Sequence, residues 1–256
     1  MKIAMLLGRG SSSAILANAV QSWYPNAETL ILVEHPPSKR SMIRYRLRRL
    51  GFRVVFGQLL FQSIFVPIIR RQSKIRYKEI LADNNINAST KVLDEAVEVA
   101  SVNHQIVRQR LIAFAPDLVL VNGTRILKSD VLHCVDAAFI NTHVGITPMY
   151  RGVHGGYWAL WNQDLENFGV TIHIVDSGVD TGLPLRQIRV QPSKEDTFTT
   201  YPLLQQAAAL TTIKEMLSNL PYSLKPDEQP WTRSTGRQWF HPTACQYIRG
   251  RLRGVK

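Results

Sequence analysis

The chain has 256 residues, 45% of them apolar, enough for one domain with a sizeable core. Its two cysteines, Cys134 and Cys245, exclude a disulfide framework and a Cys-x-x-Cys metal pair. The net charge of +12 is concentrated: His35 to Lys78 holds twelve Lys or Arg and no acid. That block equals the whole excess, and it reads as a solvated face or a contact for an anionic partner.

Lys2–Leu7 reads as a buried first strand, too short for a signal peptide, and a reducing cytoplasm is the expected location. Gly8-Arg9-Gly10 turns the chain, and Ser11-Ser12-Ser13 is expected to cap a helix running to about Ser22. Thr29–Val33 is a continuous apolar run, as in an interior parallel strand. After a basic, apolar-centred insert at about 36–80, the pattern gives a helix over Val102–Phe114, a strand over Asp117–Val121 and a short helix over Leu127–Val131. Ala138–Asn141 is a strand end, His154–Trp161 a helix, and Val170–Val175 and Leu185–Val190 two strands able to pair. Thr200–Leu217 is a long helix with Pro202 tolerated in its first turn. From Lys225 onward the chain is polar and basic, with Trp231, Trp239, Phe240 and Tyr247 as anchors. Alternating strands and helices predict an α/β, Rossmann-like, doubly wound and mainly parallel sheet over 1–220, with a short C-terminal extension, 221–256, packed on it. Ligands bind such sheets at the carboxyl ends of strands, where Asn141, Gly8–Ser13 and Asn122–Leu127 all fall.

Asn141 and His143 are two residues apart, so an extended chain points both the same way. An amide donor and an imidazole would then face one reacting centre, and Asp180, arriving from a second strand end, would orient the imidazole. Such a trio suits acyl transfer: one group for the oxyanion, one for the proton, one to set the base. His143, His154, His173, Asp176 and Asp180 lack the His-x-x-x-His spacing of a helical zinc site, so no metal is expected.

Asn141-Thr142-His143, Pro148, Tyr150-Arg151-Gly152, Gly169-Val170-Thr171-Ile172-His173 and Asp180-Thr181-Gly182 together resemble the formyltransferases that use 10-formyltetrahydrofolate, a group including the glycinamide ribonucleotide and methionyl-tRNA enzymes. The resemblance covers most of 1–218 and fits poorly near 36–80. It implies Asn141, His143 and Asp180 as catalytic residues and 10-formyltetrahydrofolate as co-substrate. It also implies a folate pocket lined by Arg125, Ile126 and Leu127 and by the facing loop Asp176, Ser177, Gly178 and Val179, largely through backbone groups. Gly8, Gly10, Ser11 and Ser12 form a possible phosphate or acceptor site at a helix start, although a plain capped turn explains them as well.

Ser12-Ser13 depart from the Gly-x-Gly-Ser-Asn-Leu pattern of the glycinamide enzymes, and Gln205-Gln206 stand where those enzymes carry an acid. The tail after Pro221 alternates too poorly for the β-barrel of the methionyl-tRNA enzymes. By elimination the expected acceptor is a small-molecule amine, an amino sugar nucleotide or a similar metabolite, and nucleic acid is not expected. A glycinamide ribonucleotide formyltransferase, a methionyl-tRNA formyltransferase-like enzyme, a hydrolase releasing formate and a non-catalytic folate-binding or scaffolding protein remain alternatives. Within the insert, Val54–Ile69 is an apolar run with Gln58, Gln62 and Pro67 inside it, short for a membrane span. It suits a helix packed on the body or on a second subunit, or a segment lying on an anionic membrane surface through residues 40–78.

Overall fold

The computed structural model describes residues 1–226 and 236–256. Its strands are β1 Lys2–Gly8, β2 Glu28–Glu34, β3 Val97–Val99, β4 Leu118–Asn122, β5 Ala138–His143, β6 Arg151–Gly152, β7 Gly169–Ile174, β8 Pro184–Arg189 and β9 Gln238–Trp239. Its α-helices are α1 Ser11–Trp23, α2 Lys39–Leu50, α3 Phe52–Leu60, α4 Val66–Gln72, α5 Lys74–Asp83, α6 Lys91–Asp94, α7 Gln105–Phe114, α8 Ser129–Leu132, α9 Gly155–Trp161, α10 Tyr201–Ser218 and α11 Ala244–Leu252.

Seven strands build one sheet in the order β3-β2-β1-β4-β5-β7-β8, and β6 and β9 pair separately. The pairings from β3 across to β5 are parallel, whereas β5–β7 and β7–β8 are antiparallel. The apolar runs of β1 and β4 lie at the centre and are buried on both faces, as interior parallel strands require. Helices α1 and α10 cover one face with a core that includes Ile15, Leu16, Leu210 and Ile213. Helix α7 covers the other through Val107 and Leu111. The doubly wound, mainly parallel expectation holds, and the edge strand β3 and helix α11 are additions to it.

Local departures have physical reasons. Helix α1 is capped by Gly10 with no side-chain bond, so the serines do not serve as the cap. The Ser12 and Ser13 hydroxyls instead donate to the Asn122 side chain at 2.9 and 3.1 Å, because the β1 and β4 ends lie side by side. The short helix predicted from Leu127 starts at Ser129, leaving Leu127 in the preceding loop. In the C-terminal segment Tyr247 is buried, Trp239 stacks on Trp158 at 4.8 Å, and the Phe240 carbonyl accepts from the Trp158 indole at 2.8 Å. Trp231 lies outside the described residues.

From Lys39 the insert is helical apart from the breaks at Gly51 and Ser73. Phe52–Gln72 is continuous helix, with a π turn at Phe61–Phe65 joining α3 to α4. At 21 residues it is longer than its apolar run and is long and apolar enough to cross a membrane by length and composition. One face is nevertheless docked on the body: Phe61 is fully buried, edge-on to Phe198 at 4.9 Å and 5.0 Å from the Tyr247 ring. Gln58 donates to the His241 carbonyl at 2.8 Å.

His154 and His241 meet in this region, Nε2 to Nδ1, at 3.0 Å. Burial lowers both imidazoles, His154 well below its usual value with a further push from His241, and His241 to about 4 with a further push from the Arg46 charge. The unfolded chain therefore binds protons near pH 6.5 that the folded chain refuses, so stability falls as pH drops from about 6.5 toward 4. Thermal unfolding across that interval is expected to show a falling Tm, and His241→Asn is expected to flatten the fall; an unchanged slope in the variant would exclude this pair as its source.

Candidate functional site

The antiparallel pairing of β5 with β7 sets the site. Its register places Asn141 opposite His173 and His143 opposite Thr171. Strand β5 runs on through His143, so Asn141 and His143 share a face as the spacing requires. Asn141 Nδ2 lies 3.2 Å from His173 Nε2, and His173 Nδ1 donates to the Ile174 carbonyl at 2.8 Å. His173 Nε2 thus stands between the Asn141 amide and Asp180, and the Asn141 amide, with two N–H groups, keeps one for another acceptor.

His143 is nearly buried and is gripped at both nitrogens. Nε2 donates to the Tyr150 carbonyl at 2.7 Å, and Nδ1 lies 3.3 Å from Asp180 Oδ2. The other Asp180 oxygen is 3.6 Å from His173 Nε2, and Oδ2 also accepts from the Gly152 N–H at 2.9 Å. Burial alone would raise this carboxyl. The charge of His143, then the bond and charge from His173, then the Gly152 N–H outweigh burial and hold it well below the usual carboxylate range. Asp180 is thus a fixed anion between two imidazoles.

The motif residues around the trio explain themselves as braces. Tyr150 holds His143 with its carbonyl, while its hydroxyl donates to Asp164 at 2.7 Å. Arg151 donates to the carbonyls of Val179 and Gly236, and Gly152 donates to Asp180. Gly152 has a φ of +98°, and a Cβ there would overlap the Trp239 carbonyl, so the pairing of β6 with β9 demands glycine. Thr171 donates to the Gly145 carbonyl at 2.8 Å and accepts from the Thr147 N–H at 3.1 Å, fixing the turn after His143. Asp180 itself takes a left-handed φ of +50°. Its loop is closed by Asp176 Oδ1, which accepts from Gly178 N–H at 3.0 Å and from the Thr181 hydroxyl at 2.7 Å.

Asn141, His143 and Asp180 all line one cleft of about 390 Å³. Arg125, Ile126, Leu127, Asp176, Gly178 and Val179 line it too, with Val121 and Val175 as apolar wall. Ser177 does not; it lines a neighbouring depression with Ser129 and His133. The cleft suits a flat, partly apolar heterocycle with few polar contacts. Among the backbone groups of Arg125–Leu127, the Arg125 N–H donates to Glu34 at 2.9 Å, and the Arg125 and Ile126 carbonyls accept from Thr124 and Asn103. That leaves the N–H groups of Ile126 and Leu127 for a ligand.

Gly8, Gly10, Ser11 and Ser12 are not brought to the cleft. Gly8 packs against the Gly123 carbonyl, Ser12 is bonded to Asn122, and its carbonyl accepts from Gln206 at 2.7 Å. Sequence reasoning missed Glu34. It is buried at the end of β2 and accepts from the Val102 and Arg125 N–H groups at 2.8 and 2.9 Å, with the Arg125 guanidinium 3.5 Å away. An acid ending an otherwise apolar interior strand was its only sequence signal.

The formyl transferase family model matches residues 57–210, more than half of the chain. The chain belongs to the formyl transferase family. Methionyl-tRNA formyltransferase of Myxococcus xanthus is 30% identical over 125 residues, covering 48% of this chain and 39% of that one. The chain spans about half or less of the length of the curated relatives it matches. A sugar N-formyltransferase from Shewanella sp. superposes with a TM-score of 0.56 at 14% identity, covering 93% of this chain and 76% of that one. Glycinamide ribonucleotide transformylase 1 from Symbiobacterium toebii gives 0.51 at 18% identity, covering 84% of each chain. These structural likenesses bear on the fold.

Gly152→Ala is expected to destabilise by about 1–3 kcal/mol, because it combines left-handed strain with the carbonyl overlap. Gly10→Ala, where a Cβ meets nothing, should cost less than about 1 kcal/mol, the loss of a glycine N-cap. Urea unfolding of the two variants checks this: equal effects would contradict the brace.

Proposed function

We propose that the chain transfers a formyl group from 10-formyltetrahydrofolate to a primary amine, with an amino sugar nucleotide or a similar amine metabolite as acceptor. One observation carries the reading: an amide and an imidazole from β5 and a carboxylate from the loop after β7 line a single cleft whose facing wall is Arg125–Leu127. Family membership points the same way. The Ile126 and Leu127 N–H groups and the valine walls are the parts suited to hold the pterin of the donor.

Attack of a neutral amine on a formyl carbon gathers negative charge on the carbonyl oxygen and leaves a surplus proton on the nitrogen. Asn141 supplies its free N–H to that oxygen, and a donor of this kind is worth about two to three powers of ten in rate. His143 lines the same cleft, and releasing its Nε2 from the Tyr150 carbonyl would present that N–H to the developing charge. Asp180 keeps the imidazole in register and, as a fixed anion, orients a water that relays the proton from the attacking to the departing nitrogen. No net proton is gained or lost by the protein over the cycle.

One feature supports a small amine over glycinamide ribonucleotide. Gln205 donates to the Gly169 carbonyl and Gln206 to the Ser12 carbonyl, so these two positions spend their polar groups internally and offer no acid to a ribose.

Incubation with the formyl donor and a panel of amines, read by mass spectrometry, is expected to show one product heavier by a single formyl group. Release of formate with no amine present would instead mark a hydrolase. His143→Ala and Asp180→Asn should each lower kcat by at least about 100-fold while the donor still binds. Near-normal turnover in either variant would refute the assigned roles.

A further inference from the structure

The helix Phe52–Gln72 has two faces of opposite fate. Val55, Gln58, Phe61 and Ile69 are buried against the body. On the outside, Phe52, Phe56, Leu60, Ile64 and Ile68 stand at strict four-residue intervals and are 71, 56, 38, 48 and 50% exposed. In a regular α-helix a four-residue step drifts by about 40°, which would wind such a stripe away from any one side over its length. The π turn at Phe61–Phe65 turns less per residue and offsets part of that drift. The result is an exposed apolar band about 24 Å long on the molecular surface.

Cations bracket the band. Arg44 and Arg48 on α2 and Arg53 stand near its start, and Arg70, Arg71 and Lys74 at its end; all six are exposed, and among the described residues none has an acidic partner. Helix α2 buries no residue and adds exposed Met42 and Tyr45 beside its arginines. An apolar band framed by positive charge matches the acyl boundary of a bilayer beneath anionic headgroups.

We infer that α2 and the Phe52–Gln72 helix form a docking face for an anionic lipid bilayer, with the helix lying in the plane of the membrane surface. A spanning arrangement conflicts with its docked face, since Phe61 and Ile69 are part of the aromatic core beside α9 and α11. A two-fold contact with a second copy would bring like charges together at both ends of the band. Nucleic acid would satisfy the arginines but leave five apolar side chains against phosphate and water. The face is tied to the cleft: Arg49 of α2 donates to Gln238 at 2.7 Å, and Gln238 pairs with Arg151 on the strand whose Gly152 holds Asp180.

The full chain should co-sediment with phosphatidylcholine vesicles containing phosphatidylglycerol, bind phosphatidylcholine vesicles at least about tenfold more weakly, and lose binding as salt rises. Phe56→Ser and Ile64→Ser, both on the exposed face and so without a folding role, should each weaken binding about tenfold. Arg44→Gln and Arg48→Gln should each weaken it about fivefold. Circular dichroism and light scattering on the same samples report fold and mass. Failure of the parent chain to bind anionic vesicles, binding unaffected by these substitutions, or a solution dimer broken by Phe56→Ser would each overturn the inference.

Discussion

Asp180 is the constraint on which the rest of the site depends. A carboxylate this enclosed is costly to keep charged unless every oxygen has a partner. Here His143 approaches one oxygen at 3.3 Å, the Gly152 N–H shares that oxygen at 2.9 Å, and His173 faces the other at 3.6 Å. Those partners arrive from β5, β6 and β7, so the charge can exist only when three strands are in register. The same contacts that stabilise the anion therefore aim the imidazole of His143 and, through His173, the amide of Asn141.

This explains why segments far from the cleft belong to the site. The Tyr150–Gly152 stretch grips His143 and Asp180 together, yet it is itself held by β9 from the C-terminal segment. That segment packs against α9 and the long insert helix through Trp158, Tyr247 and Phe61. The insert thus supports one edge of the cleft from one face while presenting its other face outward. On the opposite wall, buried Glu34 does similar work, fixing the Arg125–Leu127 loop with charge-assisted bonds from a strand end.

Much of this was legible in the chain. The Asn141-x-His143 spacing on a strand end, the Gly169–His173 strand and the Asp180 turn were readable because strand alternation and turn chemistry are local. The parallel core followed from the apolar runs of β1, β2 and β4. What could not be read was long-range. The Ser12 and Ser13 hydroxyls turn to Asn122 rather than capping their own helix. The two-residue strands β6 and β9 exist only as a pair. Glu34 looks like a surface acid until the strand order buries it. The π turn cannot be placed from the pattern of a helix that is apolar on both sides.

The most direct test of the account is ¹⁵N NMR of the histidine side chains during titration with a non-reactive folate analogue. The chain has seven histidines, and they divide cleanly by position. Signals from His143 and His173, which line the cleft, should shift on binding, while those of exposed His35 and His104 stay in place. Shifts confined to the exposed rings, or no shift in His143 and His173 at saturation, would contradict a formyl-transfer centre built around Asp180.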